Sequence, residues 1–324
     1  MKFVKRIENM TADEIQETGG KAAMLGVLTR AGFNVPPGFC VTGKSLDYLI
    51  ESNDLWPKIM EIVVSMNFDS YNDIESKAVK IREMIAAAPL PDDLREEIVG
   101  NIETLRDGDG NDPFVAVRSS VAVKDSEISS FPGMMDTYHF IKGEDQIVDY
   151  VRRCWASLFT DRAIYRRHQQ AIPQDKGVIA PIVQRMVNAD VAGVMFTANA
   201  VSGARDEIVI ESNWGLGESL VSGEALVDFF IVSRTSPPQI KMKQVQEKNI
   251  MVTIDREKGI GRKKYELSEE MSKKCSLTDE QLMQLAEQGE KIEALFGVPQ
   301  DIEWAFEKDE LFFLQSRKIK GLKE

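Results

Sequence analysis

The chain has 324 residues, 43% of them hydrophobic and 28% charged, and this length predicts two or three lobes instead of a single core. Its formal net charge of −12 argues against nucleic acid or an anionic membrane as a partner. No apolar run approaches the ~18 residues that span a bilayer, and the charged N-terminus does not look like a signal peptide. With three isolated cysteines (Cys40, Cys154 and Cys275) and no disulfide framework, we expect a cytoplasmic protein.

The first part of the chain predicts a short helix, one strand, a longer helical region and then further strands. Gly19-Gly20-Lys21 opens a helix over residues 22–31, and a strand follows the prolines Pro36 and Pro37. Residues 46–105 have a helical pattern that prolines interrupt, and the Asp/Gly-rich segment 106–113 is the strongest loop signal. Short strands are predicted over 114–117 and 136–141.

The second part begins with one long predicted helix, from about Glu144 to Gln169, and becomes rich in strands beyond Pro173. Thr278 and Gln281 form a capping-box pattern for a helix that should end at Gly297. This order of segments predicts an α+β, multi-lobed fold with mixed or antiparallel sheets and flanking helices. We expect an N-terminal lobe over 1–110, a segment of strands and a long helix over 111–175, and a C-terminal lobe over 176–324.

Two alternating segments near the C-terminus predict a β-hairpin with one polar face. Alternation places Asp301 and Glu303 on one face of its first strand, and Gln315 and Arg317 on one face of its second. A three-residue loop over 308–310 would pair Glu303 with Gln315 and Asp301 with Arg317. Carboxylate and amide oxygens beside a guanidinium suit a Mg²⁺-bound polyphosphate. An amphipathic hairpin with a solvated polar face is the alternative.

A Walker A pattern over residues 38–45, Gly38-Phe-Cys-Val-Thr-Gly43-Lys44-Ser45, competes with this interpretation. A P-loop needs a buried strand before its first glycine, but Pro36 and Pro37 occupy that position. The strand-like residues 39–41 would also lie inside the loop. We therefore reject the P-loop.

Three other segments could bind anions. Arg118 follows the predicted strand 114–117 and would project from the strand end into a loop of small polar residues. Gly133 and Thr137 belong to a segment rich in hydroxyls and backbone N–H groups, a composition that can surround a polyphosphate. Lys21 precedes a helix, near the positive end of its dipole. Each pattern is also common in ordinary surface turns.

Taken together, ten segments in a fixed order resemble one family. They include Gly20-Lys21-Ala-Ala-Met-Leu, Val117-Arg-Ser-Ser, Phe131-Pro-Gly-Met-Met-Asp-Thr137, Trp214-Gly-Leu-Gly-Glu and Leu314-Gln-Ser-Arg317. The chain resembles, over nearly its whole length, the N-terminal ATP-binding region of phosphoenolpyruvate synthase, pyruvate phosphate dikinase and rifampin phosphotransferase. The resemblance implies an ATP-grasp fold with ATP and Mg²⁺ as cofactors.

The resemblance also implies a role for each matching position. Phosphates would be contacted by Lys21, Arg118 and Arg317, with Gly133 and Thr137 in the loop over them. Gln184 and the backbone at Met186 would meet the adenine. Glu303 and Gln315 would hold Mg²⁺, with Asp301 nearby.

Two departures from the family pattern stand out. Many relatives have Ser-Ser-Ala-Thr-Ala-Glu-Asp after the arginine, whereas this chain has Ala122 and Lys124, which remove a hydroxyl and add positive charge. The histidine motif that carries phosphate in full-length members is absent, since only His139 and His168 are present and neither has small flanking residues.

The substitutions at 122 and 124 could change the acceptor or the rate. The missing histidine motif leads us to expect a separate ATP-binding subunit or an excised domain. Its partners would be a phosphohistidine-carrying subunit or domain and an acceptor-binding one. Dikinase chemistry would form AMP and phosphate, with pyruvate, phenol (as in the split enzyme phenylphosphate synthase) or another small molecule as final acceptor. The alternative is a non-catalytic ATP-sensing module that docks on a partner.

Overall fold

The computed structural model describes residues 2–124, 136–221 and 223–322, which form two compact units. The first unit comprises Met1–Val27 and Pro37–Met186, and the second comprises Leu28–Pro36 and Val187–Glu324. The predicted α+β class is confirmed, with antiparallel pairing between the strands of every described sheet. The finer division into three lobes stays a prediction.

The first unit is built on a five-stranded sheet with the strand order β1-β2-β5-β3-β4. Its strands are β1 (Val4–Arg6), β2 (Gly38–Val41), β3 (Val115–Val123), β4 (Thr137–Ile141) and β5 (Gly177–Arg185). Its helices are α1 (Ile15–Arg30, of which the last residues belong to the second unit), α2 (Gly43–Ser52), α3 (Trp56–Val64), α4 (Tyr71–Ala87), α5 (Asp92–Glu103), α6 (Glu144–Ala156) and α7 (Asp161–Gln169).

The helices of the first unit bury apolar stripes with helical spacing. In α4 the buried residues are Ile74, Ala78, Ile81 and Ile85, spaced three or four residues apart, so they form one face of the helix. The core that they share includes Trp155 and Phe159, both fully buried. This core packs against the odd-numbered residues of β3, and the even-numbered residues therefore point to the other side of the sheet.

The single long helix predicted over 144–169 is wrong. A 3-10 turn at Ser157–Phe159 and the extended residue Thr160 (ψ 153°) separate α6 from α7. The side chain of Thr160 accepts a hydrogen bond from the backbone N–H of Ala163, so Thr160 is an N-cap that starts a new helix.

The second unit contains a six-stranded sheet with the order β13-β12-β6-β7-β8-β9 and a separate hairpin, β10–β11. The sheet strands are β6 (Val191–Phe196), β7 (Glu207–Trp214), β8 (Asp228–Ser233), β9 (Gln239–Gln244), β12 (Gln300–Glu307) and β13 (Glu310–Lys318). The hairpin strands are β10 (Ile250–Ile254) and β11 (Arg262–Glu266), and the helices are α8 (Glu218–Val221), α9 (Glu269–Lys273) and α10 (Asp279–Phe296).

The predicted capping signals of α10 are confirmed. Thr278 and Gln281 exchange side-chain and backbone hydrogen bonds in a capping box, and Gly297 ends the helix with a φ of 71°. At the far edge of the sheet, β9 carries Lys241 and Lys243, which pair with Glu207 and Asp279 respectively. At the opposite edge, the backbone N–H of Phe313 donates to the carbonyl of Asn34.

A fully buried ion pair holds the segment after β9 against β8. The ammonium of Lys248 lies 2.7 Å from Asp228 Oδ1, and neither side chain is exposed. Asp228 also accepts hydrogen bonds from the backbone N–H groups of Gln246 and Ser276. Both oxygens of the carboxylate therefore have donors, and these partners offset the cost of burying the charge. Removing one of them would leave part of that cost uncompensated.

We expect Lys248→Met to lower the free energy of unfolding by about 3 kcal/mol or more, because the Asp228 carboxylate then stays buried without a counter-charge. Lys273→Met is the matched control: the pair of Lys273 with Glu269 is exposed, so its loss should cost less than about 1 kcal/mol. Urea unfolding of both variants measures the difference, and equal losses would contradict a special role for the buried pair.

Candidate nucleotide and metal site

The arginine at position 118 lies in the middle of β3, so its predicted place at a strand end is wrong. The nine residues of β3 pair with β5 without interruption, from Val115 opposite Arg185 to Val123 opposite Gly177. The small side chains after Arg118 therefore continue the strand instead of forming a loop. Arg118 is buried, and its Nη1 donates to Gln184 Oε1 at 3.2 Å.

Alternation along these strands brings three of the predicted residues to one face of the sheet. Gln184 lies opposite Ala116, two residues before Arg118, and Thr137 of β4 lies directly opposite Arg118. Residues two apart in a strand, and residues directly opposite, share a face. The buried guanidinium, the amide of Gln184 and the hydroxyl of Thr137 therefore form one polar row.

The segment that carries Lys21 contacts the same face. The backbone N–H of Ala22 donates to Ser120 Oγ at 3.0 Å, and Ser120 lies two residues beyond Arg118. Lys21 is half-buried. At the end of β5, the backbone N–H of Met186 donates to the carbonyl of Phe114. Gly133 lies outside the described residues.

The second group of predicted residues is in the sheet of the second unit. The predicted register of the hairpin is confirmed: Glu303 lies opposite Gln315, and Asp301 lies opposite Arg317. Arg317 donates from Nε and Nη2 to Asp301 Oδ2, each at 2.8 Å. The side chain of Asp301 is 12% exposed, whereas that of Arg317 is 45% exposed and keeps further donors for an anion.

The loop of this hairpin has two residues, not the predicted three. Glu307 pairs with Glu310, and Lys308 and Asp309 both have positive φ, as in a type I′ turn. The predicted register nevertheless holds, because a β-bulge at Leu314 adds the one residue that the shorter loop removes.

A third carboxylate, which sequence reasoning missed, lies in the same row of the sheet. Glu303 is opposite Val194 of β6, and Val194 is opposite Glu211 of β7, so Glu211 shares the face of Glu303 and Gln315. Burial raises the pKa of Glu211, and the nearby charge of Asp301 raises it further. Burial likewise raises the pKa of Asp301, against the opposing effect of Arg317. This face therefore favours a cation.

These residues can supply oxygen ligands but not a complete metal cage. Across the described parts of the chain, no group of three or more His, Cys, Asp or Glu side chains has the geometry to hold a metal ion. Mg²⁺ is usually held by one or two carboxylates together with water and substrate phosphates. A carboxylate and an amide on facing strands, as Glu303 and Gln315 provide, fit that pattern.

Three other features of the sequence, namely the Walker A pattern, Lys124 and His168, have clear places in the structure. Gly38–Val41 is a strand and Gly43 begins α2, so the Walker A pattern does not form a P-loop, as we predicted; Lys44 pairs with Glu17. Lys124 pairs with Asp47 at 2.9 Å, so its extra positive charge is balanced within the first unit. His168 stacks on Phe68 with ring centroids 3.6 Å apart, which agrees with a structural role.

The chain is similar to known proteins along nearly its whole length. Residues 15–324 match the family described as pyruvate phosphate dikinase, AMP/ATP-binding domain. The chain is 37% identical to a probable phosphoenolpyruvate synthase of Pyrococcus horikoshii and 40% identical to one of Methanocaldococcus jannaschii, with 100% of this chain aligned in both. It is 36% identical to rifampicin phosphotransferase of Bacillus subtilis over 99% of its length.

The chain spans less than half of each of these relatives: 44% of the Pyrococcus protein, 27% of the Methanocaldococcus protein and 36% of the Bacillus protein. In the described residues, no helix is both long and apolar enough to span a membrane.

Replacing Glu211 by glutamine should stabilise the protein at neutral pH in buffer without metal or nucleotide. A carboxyl whose pKa is raised by folding binds its proton more tightly in the folded state, so its ionised form costs stability above that pKa. Glu211→Gln removes this cost. The gain in melting temperature should therefore be present at pH 7 and disappear as the pH falls below the ordinary value of 4.5.

Glu287→Gln is the control, because Glu287 is exposed on α10 and should leave the melting temperature unchanged. Scanning calorimetry from about pH 4 to about pH 8 measures the melting temperatures of both variants and of the original chain. A lower melting temperature of Glu211→Gln at pH 7 would show that the carboxylate is stabilised in the folded state instead.

Proposed function

Because the chain belongs to the pyruvate phosphate dikinase AMP/ATP-binding domain family, we propose that it binds MgATP for a dikinase-type phosphotransferase. The observation that carries the proposal is the pair of polar rows described above. One presents a buried arginine beside an amide and a hydroxyl, and the other presents carboxylates, an amide and an arginine. These are the groups that recognise phosphates and a hard metal ion.

Each residue then has a chemical role. Lys21, Arg118 and Arg317 would neutralise the phosphates, with Thr137 donating its hydroxyl and Gly133 its backbone N–H. Gln184 and the backbone at Met186 would contact the adenine. Glu303 and Gln315 would hold Mg²⁺, which offsets negative charge on the phosphates, in an ATP-grasp arrangement. Glu211 and Asp301 would keep the surroundings of the metal negative.

Catalysis by this chain would consist of positioning and charge neutralisation, since phosphoryl transfer asks little covalent chemistry of the protein. A histidine on a partner subunit or domain would accept the β-phosphoryl group. ATP, water and that histidine would yield phosphohistidine, AMP and inorganic phosphate. An acceptor-binding subunit or domain would then pass the phosphoryl group to pyruvate, phenol or another small molecule, and we expect this to happen in the cytoplasm.

Glu303→Gln should weaken binding of MgATP by about tenfold or more while the fold survives, because it removes one charged metal ligand with little change in shape. Binding of ATP in the presence of EDTA should change much less, since that measurement does not involve the metal. Titration calorimetry of both forms of the nucleotide, with a melting curve for each protein, measures these effects.

Glu287→Gln serves as the control for a changed carboxylate in the same unit, and Lys44→Ala as the control for the rejected P-loop. Both should bind MgATP like the original chain. An unchanged affinity of Glu303→Gln would remove Glu303 from the metal site. A loss in Lys44→Ala as large as that in Arg118→Ala would restore the P-loop interpretation.

The purified chain alone should retain no stable phosphoryl group from ATP. Its two histidines are unsuited to accept one: His168 is stacked on Phe68, and His139 lies within β4. ATP labelled at the β-phosphate, followed by an alkaline quench that preserves phosphohistidine, measures the transfer directly.

The same incubation with the separately expressed remainder of a phosphoenolpyruvate synthase should label that partner and release AMP in equal amount. Stoichiometric label on the lone chain, lost in His139→Ala or His168→Ala, would mean that it carries its own acceptor. Tight MgATP binding with neither label nor AMP in the presence of the partner would favour a regulatory module.

A further inference from the structure

The helix that carries Lys21 starts against a strand distant in sequence. Gly19 has a φ of 75° and interrupts α1, so the helical residues after it begin a new N-terminal turn. The first four N–H groups of a helix have no partner within the helix. The N–H of Ala22 donates to Ser120 Oγ at 3.0 Å, and the two residues are 98 positions apart. A serine hydroxyl that accepts from such an amide acts as an N-cap, here supplied by β3.

The contact between the two segments leaves no space for a side chain at position 19. A Cβ there would lie 2.3 Å from Ser120 Oγ and 2.5 Å from the carbonyl carbon of Ser120. The positive φ of Gly19 would also strain any other residue. Ser120 itself is fully buried. The backbone of residue 19 therefore rests directly on β3, and the Ser120 hydroxyl sets where the helix begins.

We propose that Ser120 is a positioning residue that fixes Lys21 relative to Arg118. Lys21 immediately precedes Ala22, whose amide Ser120 binds, and Arg118 lies two residues before Ser120 on the same face of β3. One hydroxyl thus ties the segment of the lysine to the strand of the arginine. The proposal rests on the proposed function, because the benefit of this tie is that both cations meet the same phosphates.

Ser120→Ala should weaken MgATP binding by about tenfold, because the helix loses its cap and Lys21 is no longer held in place. In a Lys21→Ala background the same substitution should change the affinity by less than about twofold, since its effect passes through Lys21. Titration calorimetry on the four proteins measures this cycle. If Ser120→Ala weakens MgATP binding as much in the Lys21→Ala background as in the original chain, the proposal is overturned.

Ser157→Ala is the matched control. Ser157 is also buried in the first unit, and its hydroxyl donates to the carbonyl of Cys154 at 2.7 Å. It should lose stability to a similar extent but bind MgATP normally. If Ser120→Ala does not fold, Ser120→Cys, whose sulfur is a weaker acceptor, replaces it with the same expectations.

A measurement without nucleotide separates this inference from the proposed function. In Ser120→Ala, exchange of the Ala22 amide hydrogen should become about tenfold faster or more, while amides of α10 keep their protection. Unchanged protection of Ala22 would overturn the proposal even if MgATP binds. If the unaltered chain fails to bind MgATP, the proposed function fails, and the exchange measurement still decides whether Ser120 caps the helix.

Discussion

The position of β12 between β6 and β13 is the constraint on which the acidic face of the second unit depends. A strand that is hydrogen-bonded on both sides cannot slip by one residue without turning every side chain to the opposite face. Ile302, Trp304 and Phe306 are buried on one side of β12, and this apolar set fixes its register. Asp301 and Glu303 must then face the other way. Burial raises the pKa of Asp301, and a bound cation would offset this cost of burying its charge.

The predicted pairs of this face are correct, although the predicted loop was wrong and β13 does not alternate strictly. Leu311 and Phe313 are buried, and by alternation Gln315 and Arg317 would point to the same side as these two apolar residues. The bulge at Leu314 reverses the phase, so that Ser316 is buried with Ile302 while Gln315 turns toward Glu303. The pairs Glu303–Gln315 and Asp301–Arg317 were predicted correctly because one extra residue in the loop and one extra residue in the bulge shift the register by the same amount.

Other features could not be derived from local patterns. Small residues after Arg118 suggested a loop, but pairing with β5 over nine residues outweighs their weak strand preference. Glu211 was not identified because its neighbours on the acidic face belong to strands far away in the chain. The role of Ser120 depends on a contact across 98 residues. By contrast, the capping box at Thr278 and the apolar stripe of α4 were predictable, since both are set within a few helical turns.

The edge strand β9 has a consequence for the behaviour of the protein in concentrated solution. An open strand edge is a template on which a second copy can add its own strand, the first step toward fibrils. Lys241 and Lys243 place two ammonium groups along this edge, each held by an acidic partner of the same unit. A strand added here would have to dehydrate both ion pairs and accept two buried charges. The sheet edge is thereby protected against self-association by charges that also join β9 to β7 and to the first residue of α10.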